Sequence, residues 1–139
     1  MLYIKKSKLP FAGLGLFSSV PIAAGEEIIE YKGDIYTWKQ CQRRAAEEDK
    51  SGYVFYVTKN HCIDAYDHYL ELARYGNDAE GLRKKKGLVN NSEYIQRGKR
   101  VFMNALVDIR AHSEILVSYG QDYWDEFEEN EDEYEEDYD

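Results

Sequence analysis

Tyrosine is the unusual chemical resource of this chain, with 13 tyrosines among 139 residues. A tyrosine hydroxyl can donate and accept hydrogen bonds, and the ring face attracts cations. The other reactive types are scarce: the two cysteines and three histidines have no spacing typical of a zinc site or a disulfide framework. No Walker loop, His-Glu-x-x-His or Gly-x-Ser-x-Gly motif is present. The residue types therefore show no standard catalytic constellation, and most of the tyrosines are expected to fill a small β core.

The segments that must position these residues are short. Apolar stretches bounded by glycine turns predict a mostly β domain. Strands are predicted at 2–4, 15–18, 27–31, 53–58, 61–65, 101–107 and 115–119, with a helical turn at 70–75 and a loop at 76–87. One clear helix is predicted between the N-cap Thr37, which Gln40 completes as a capping box, and Ser51-Gly52. Cys41 lies on the apolar face of that helix, which favours a core residue over a nucleophile.

A weak internal repeat has an offset of 87 residues. The pattern Val-x-Ile-x-Ala-x-x-Glu-Ile occurs at 20–28 and again at 107–115. Each copy predicts a strand, a tight turn and a second strand. The residue types are common, so chance is one explanation, and a fold of pseudo-symmetric small sheets is the other.

The charge is unevenly distributed along the chain. Residues 121–139 hold 12 acidic residues and no basic one, and the other 120 residues carry a net charge of +3. Such an acidic tail repels nucleic acid and attracts basic proteins, although a solvated terminus without a specific role is equally compatible. No run of 18 apolar residues and no signal peptide is visible, so an intracellular protein without a membrane span is expected.

Four sequence blocks follow one another in a fixed order. They are Gly13-Leu14-Gly15-Leu16-Phe17; Ile22-x-x-Gly25-Glu26-x-Ile28-x-Glu30-Tyr31-x-Gly33; Ala73-Arg74-Tyr75-Gly76-Asn77-Asp78; and Glu114-Ile115-Leu116-Val117-Ser118-Tyr119-Gly120 followed by Tyr123-Trp124. Together they resemble the SET-domain protein-lysine methyltransferases, most closely the minimal stand-alone proteins of bacteria and large viruses. The resemblance covers about residues 3–124.

The resemblance implies a fold, a cofactor and a reaction. The fold is a β-clip-like set of small curved sheets whose late strand threads, like a knot, past the Asn77 motif. The implied domain is 1–124, and 125–139 would be an acidic, partly disordered tail. The implied activity is methyl transfer from S-adenosylmethionine to the ε-amine of lysine in a basic, histone-like protein or peptide. Direct nucleic-acid binding, a membrane and a metal are not implied. The location would be cytoplasmic in a bacterium and nuclear or chromatin-associated in a eukaryote.

The resemblance also assigns roles to individual residues. Tyr119 is the match to the family's active-site tyrosine, and Tyr53 and Tyr123 match aromatics that line or close the lysine channel. The implied cofactor-binding residues are Gly13, Leu14, Gly15, Arg74, Tyr75, Asn77, Asp78, Tyr119 and Trp124, with Trp124 stacking on adenine.

One position departs from the family pattern. Asp78 stands where relatives have the histidine of an Asn-His pair, which puts a carboxylate near the implied cofactor. Two other functions therefore stay open. A catalytically weak module that binds basic peptides or modified lysine is favoured by Asp78, and an acidic chaperone for basic proteins would rely on the tail alone.

Overall fold

The computed structural model describes residues 1–81 and 84–119 of the chain. Strands in this part are short and antiparallel, and one α-helix accompanies them. The elements are β1 (Leu2–Lys6), β2 (Leu14–Ser18), β3 (Glu27–Tyr31), β4 (Asp34–Tyr36), α1 (Trp38–Glu48), β5 (Val54–Thr58), β6 (His61–Asp64), a 3₁₀ turn (Leu72–Tyr75), β7 (Ser92–Arg97), β8 (Arg100–Ala105) and β9 (Glu114–Ile115). The predicted mostly β fold of small sheets with one short helix is confirmed. Tyr123, Trp124 and the 125–139 tail lie outside the described residues.

Three small sheets form the described part of the fold. Their strand orders are β1-β2-β9, β3-β8-β7 and β4-β6-β5. Each sheet is too small to bury its own apolar face, so the sheets stabilise one another through a shared core. The largest group of buried apolar side chains comes from β2, β8 and β9, from two connecting segments and from the residues after β9: Leu16, Ile22, Met103, Ala105, Ile109, Ile115 and Val117.

Helix α1 begins as the sequence predicts. The Thr37 hydroxyl accepts a hydrogen bond from the Gln40 N–H at 3.1 Å, and the Thr37 N–H donates to Gln40 Oε1 at 2.8 Å. These two bonds satisfy donors that the helix itself leaves without partners. The helix ends at Glu48, earlier than predicted, because Asp49 adopts a left-handed conformation with φ of 57°.

The internal repeat is a real structural relationship. Ile22 and Ile109, which are 87 positions apart, exchange two backbone hydrogen bonds of 2.9 and 2.8 Å. A second matched pair runs from the Gly25 N–H to the Ala105 carbonyl and from the His112 N–H to the Ser18 carbonyl. Gly25 and His112 also share a positive φ, 82° and 64°. The two copies, 20–28 and 107–115, therefore face each other across a local two-fold axis.

The end of the described chain passes between two other segments. Successive residues of a strand direct their backbone groups to opposite sides. Leu116 bonds on one side to the Asn91 side chain and the Ser92 N–H, whereas the Val117 N–H donates on the other side to the Asn77 carbonyl at 2.8 Å. The two ends of the segment 77–92 therefore flank this strand, which places Tyr119 directly beside the Asn77 motif.

Candidate active site

A narrow cavity lined mainly by aromatic side chains lies between the sheets. Its volume is about 60 Å³. One water occupies roughly 10–15 Å³ on this measure, so the cavity has room for a few waters or a slender side chain rather than for a bulky ligand. The lining consists of Tyr31, Gly52, Tyr53, Val54, Phe55, Arg74, Gly76, Tyr94 and Tyr119. Two of the three predicted catalytic tyrosines, Tyr53 and Tyr119, therefore share one cavity.

Tyr119 is fixed at its backbone and at its hydroxyl. Its N–H donates to Asp78 Oδ2 at 2.8 Å, and its hydroxyl donates to the Gly76 carbonyl at 2.5 Å. A Cβ on Gly76 would lie 2.9 Å from the end of the Met103 side chain and 3.1 Å from Val117, so a larger residue there would require these side chains to shift. The phenolic oxygen is thus held at the cavity wall, one residue from Asn77.

Tyr53 is positioned by aromatic contacts and by its backbone. Its carbonyl accepts a 2.7 Å hydrogen bond from the Tyr31 hydroxyl, and its ring meets the Tyr66 ring edge-on at 5.8 Å. The Arg74 guanidinium lies over the Tyr53 ring, 4.0 Å from its centre. These contacts fix the Tyr53 ring in the wall of the cavity.

Arg74 and Tyr75 belong to the 3₁₀ turn behind this cavity. The Arg74 guanidinium donates to the carbonyls of Ala65 and Tyr66 at 3.0 and 2.9 Å and to the Tyr75 hydroxyl at 3.2 Å. The Tyr75 hydroxyl in turn donates to the Tyr69 carbonyl. These contacts favour a part in the cavity wall, and the cofactor-binding role of both residues stays a prediction.

A second cluster brings together the glycine loop and the Asn77 motif. The Asn77 side-chain amide donates to the Leu14 carbonyl at 3.0 Å. Gly13 requires glycine because its φ is 72°, and the space where its Cβ would stand is open. The predicted cofactor residues Gly13, Leu14, Gly15 and Asn77 are therefore neighbours, although they lie more than 60 positions apart in sequence.

Glu114 organises this second cluster, and sequence reasoning missed it. Its buried carboxylate accepts hydrogen bonds from the Ser7 hydroxyl at 2.7 Å, the Lys8 N–H at 2.8 Å and the Asn77 amide at 3.4 Å. A Cβ on Gly15 would collide with the same carboxylate, so Gly15 is needed for packing. The repeat marks Glu114 as the counterpart of Glu27. The burial of Glu114, however, depends on contacts with residues distant in sequence and could not be predicted from the repeat.

Asp78 has a structural role in this fold. Its carboxylate is buried, and besides the Tyr119 N–H it accepts from the Glu80 N–H and from the Asn90 side chain, each at 2.8 Å. The Asn90 carbonyl oxygen returns the link by accepting from the Ala79 N–H at 2.8 Å. Asp78 thus holds Tyr119 and closes the loop between 78 and 90. Its predicted contact with the cofactor stays a prediction.

The paired asparagines Asn90 and Asn91 are further residues that the sequence reasoning did not single out. The Asn91 amide accepts from the Leu116 N–H and donates to the Glu114 carbonyl, both at 2.9 Å. An amide that both donates and accepts can substitute for a strand neighbour. The signal was the Asn-Asn pair itself, placed immediately before β7.

The two cysteines lie outside the site. Both are buried, and burial raises the pKa of the Cys41 thiol to about 12. A thiol held in its neutral form is a poor nucleophile, in agreement with the core position predicted for Cys41. Within residues 1–81 and 84–119, no three His, Cys, Asp or Glu side chains gather as metal ligands, and no helix there is long and apolar enough to cross a membrane.

Comparison with known proteins identifies the family of this arrangement. The family model for the SET domain matches residues 13–120, which is most of the chain. The chain belongs to the SET-domain family. The match includes the glycine loop, the Arg74–Asp78 motif and Tyr119, the three segments that the structure brings together.

Two curated relatives agree with this membership. The chain is 30% identical over 138 residues to histone-lysine N-methyltransferase set-17 of Caenorhabditis elegans, and the match covers 92% of this chain and 44% of that protein. It is 28% identical over 127 residues to histone-lysine N-methyltransferase EZH2 of Chaetomium thermophilum, with 85% and 8% covered. This SET domain therefore spans less than half the length of these relatives.

A solved structure shows the same fold in a larger assembly. The structure of ctPRC2 in an autoinhibited conformation, bound to S-adenosylmethionine, matches with a TM-score of 0.66 and 27% identity. The match covers 86% of this chain and 15% of the other. The SET fold described above is thus shared with a chain of an assembly that was solved bound to S-adenosylmethionine.

Proposed function

We propose that this chain is a protein-lysine N-methyltransferase that uses S-adenosylmethionine. The observation that carries the proposal is the narrow tyrosine-lined cavity whose wall residues Gly76 and Tyr119 adjoin the Asn77 cluster. A linear side chain entering this cavity would end beside the residues that the family uses for the cofactor. The cavity and the glycine-asparagine cluster are joined by the Gly76-Asn77 peptide, so an amine and a methyl donor would meet there.

The residues present fit this cofactor. The position that a Cβ of Gly13 would occupy is open, so backbone groups there can approach a ligand closely. Glu114 is buried without a Lys, Arg or His within ion-pair distance in the described part of the chain. A buried carboxylate without a cationic partner favours a positively charged ligand nearby. Gly13, Leu14, Gly15 and Asn77 would hold the amino-acid end, and Trp124 would cover the adenine.

The cavity suits the protonation state that the reaction needs. S-adenosylmethionine supplies a methyl group on a sulfonium, which a neutral lysine amine displaces as the nitrogen–carbon bond forms and the carbon–sulfur bond breaks. A lysine with a pKa near ~10.4 is an ammonium at pH 7, and making it neutral costs roughly 4–5 kcal/mol. No carboxylate or histidine lines the cavity in the described residues. Desolvation among aromatic rings, rather than a general base, would therefore favour the neutral amine.

Tyr119 would orient that amine. Its hydroxyl proton is directed to the Gly76 carbonyl, which leaves the phenolic oxygen as an acceptor for an amine N–H. An amine fixed in this way keeps its lone pair aligned with the methyl donor. Alignment is the main requirement of such a displacement.

We further propose that the substrate is a basic, histone-like protein. The relatives named above are histone-lysine methyltransferases, and the 12 acidic residues of 121–139 would attract a basic partner. The Asp78 carboxylate is held by amide donors and Tyr119. Because these donors satisfy the carboxylate, the presence of Asp78 in place of the family's histidine does not favour a catalytically weak module.

The experiment is methyl transfer from deuterium-labelled S-adenosylmethionine to purified core histones, read by mass spectrometry of the modified lysines. Wild-type protein should transfer label to a small set of lysines. Tyr3→Phe is the matched control, because it deletes a hydroxyl on β1 outside the cavity, and it should keep the activity. No labelled lysine in histones or in a library of lysine-rich peptides would contradict the proposal.

A further inference from the structure

Arg74 is a buried cation without a carboxylate partner. It is 8% exposed, and its guanidinium donates hydrogen bonds to two carbonyl oxygens and to the Tyr75 hydroxyl. Within the described residues, no Asp or Glu oxygen lies within ion-pair distance of its guanidinium. The positive charge is balanced only by dipoles and by the ring faces of Tyr53, Tyr69 and Tyr75 at 4.0–5.1 Å.

This charge is part of the wall of the tyrosine-lined cavity. A buried cation is costly unless it is paired, so a charge kept there without an acidic partner calls for an explanation. Dipoles and ring faces hold the guanidinium in place, but they do not cancel its charge. The inside of the cavity is therefore biased against a second cation.

The charged groups around the 3₁₀ turn do not cancel the positive charge of Arg74. Asp64 receives the Tyr66 N–H at 2.9 Å and pairs with Arg44 at 3.2 Å, and Asp67 pairs with Arg44 and Lys50 at 3.0 and 3.1 Å. These four groups balance. Glu48, at the outer edge of the group, is half exposed, and water screens it.

Two buried carboxylates lie near the cavity but do not line it. Glu114 accepts from the Ser7 hydroxyl, the Lys8 N–H and the Asn77 amide in the neighbouring cluster. Asp78 accepts from backbone and side-chain amides. His68 pairs with Asp34 at 3.0 Å, and Glu71, which precedes the turn, has no ion pair with Arg74. The other titratable groups at the cavity or the turn are phenols: Tyr31, Tyr53, Tyr66, Tyr69, Tyr75, Tyr94 and Tyr119.

We propose that Arg74 is a fixed positive charge that makes the channel select the neutral amine over the ammonium form of the lysine it accepts. The inference rests on the proposed function in taking lysine as the occupant of the cavity. It differs from the cofactor-binding role that the family resemblance implies for this residue. A charge about 10 Å from the amine, at an effective protein dielectric of about 20, would lower the pKa of the amine by on the order of one unit.

The test compares two peptides that differ only in the charged group, without added cofactor so that only the chain's own charges act. Acetyl-Ala-Lys-Ala-amide and acetyl-Ala-norleucine-Ala-amide are titrated into the full chain at pH 7 and followed by NMR. The wild type should prefer norleucine, and in Arg74→Gln that preference should fall about tenfold, the equivalent of one pKa unit. Arg74→Lys keeps the charge and should keep the preference.

Arg97→Gln is the matched control. Arg97 also lies 4.0 Å over an aromatic ring, that of Phe102, but it is exposed and does not line the cavity. Removing it changes the net charge by the same amount, and the peptide preference should not change. An unchanged preference in Arg74→Gln, or no binding of either peptide to the wild type, would overturn the proposal.

Arg74→His keeps the test decisive if Arg74→Gln does not fold. A histidine is charged at pH 5 and neutral at pH 8 near its usual pKa of about 6.5, while lysine stays an ammonium at both. The norleucine preference of this variant should fall between pH 5 and pH 8, whereas that of the wild type should not. A purely structural role for Arg74 predicts no such pH response, and a flat profile would contradict the charge.

Enzyme kinetics separate this inference from the proposed function. Once a peptide that the protein methylates has been identified, kcat of the wild type should rise with pH to a plateau. In Arg74→Gln the midpoint of this rise should move to a pH about one unit higher. An equal loss of kcat at every pH would mean that Arg74 only supports the fold. Absence of methyl transfer with an intact peptide preference would reject the enzyme assignment and leave the charge selection standing.

Discussion

The two repeat copies, 20–28 and 107–115, have the same backbone and different surroundings. Both bring an isoleucine to the two-fold contact and both turn through a residue with positive φ. After the turn, Glu27 is exposed and pairs with Arg97, whereas its counterpart Glu114 is buried and accepts three hydrogen bonds. The glutamate of the first copy therefore lies at the surface, whereas the glutamate of the second copy is part of the candidate site. A shared local structure does not determine function, which depends on what packs around it.

The largest effect on activity is expected for Tyr119, which lies just after the second repeat copy. Tyr119→Phe removes the hydroxyl that donates to Gly76 and would accept from the amine. Loss of one aligned contact in the transition state costs roughly 3–4 kcal/mol, which is about a 100- to 1,000-fold fall in kcat. Labelled methyl transfer measures it, and a thermal melt checks the fold. Activity equal to that of Tyr3→Phe would separate Tyr119 from the reaction.

The next contrast compares the two glutamates at equivalent positions. Glu114→Gln leaves a side-chain NH₂ facing donors and should reduce the free energy of unfolding by about 1.5–3 kcal/mol. Glu27→Gln breaks only an exposed ion pair and should cost less than about 1 kcal/mol. Urea denaturation measures both. Equal costs would mean that burial does not distinguish the copies.

Asn77→Ala tests whether the cluster that Asn77 forms with Glu114 of the second copy binds the cofactor. The variant loses the bond to the Leu14 carbonyl that joins the glycine loop to the site. Because this exposed bond holds the glycine loop against the site, its loss should weaken S-adenosylhomocysteine binding by about 0.5–1.5 kcal/mol. Isothermal calorimetry measures the dissociation constant. A value unchanged from the wild type would place the cofactor elsewhere.

A similar effect, on folding stability, is expected at the turn of the first copy. Gly25 has φ of 82°, and no atom lies near the position of its Cβ. Alanine there meets only backbone strain, and Gly25→Ala should cost about 1 kcal/mol of folding stability. Gly25→Asn should cost less, because asparagine tolerates this conformation. The two urea midpoints give the comparison, and a Gly25→Ala midpoint equal to that of the wild type would remove the strain argument.

The smallest effect concerns Glu30, three residues beyond Glu27 on β3. The hydrogen bond from Arg100 lowers the pKa of Glu30 below its ordinary value. A lowered folded-state pKa stabilises the protein above the unfolded value of about 4.3, and this contribution is lost as the pH falls through the folded pKa. Glu30→Gln should therefore cost less than about 1 kcal/mol at pH 7 and nothing below the folded pKa. A cost that persists at pH 2 would point to packing instead.

The sequence predicted what depends on neighbouring residues. The capping box of α1 and the two repeat turns require only contacts within a few positions, and both are present. Strands β4 and β7 were missed, because β4 has three residues and the two apolar residues of β7, Tyr94 and Ile95, are adjacent and give no strand-like alternation. Their conformations are stabilised by partner strands rather than by their own pattern.

The site shows the same limit. Tyr53 and Tyr119 are 66 positions apart, and only the family resemblance placed them together. The need for Gly15 could be read as ligand contact or as packing, and the packing reason appears only when Glu114 lies beside it. The role of Asp78 was equally invisible, because its amide partners come from Asn90 and Tyr119 across the loop.

The strand held between the two ends of 77–92 also has a consequence for how the molecule assembles. Its contacts join residues at opposite ends of the described chain, such as Ser7 and Glu114, which are 107 positions apart. Closing loops of this length is unfavourable before the contacts form, so high contact order slows folding. During translation the tyrosine-lined cavity exists only after Tyr119 has left the ribosome. Until then the Asn77 carbonyl and the Asp78 carboxylate lack their donors, the N–H groups of Val117 and Tyr119. The emerging chain therefore cannot hold a lysine for methyl transfer.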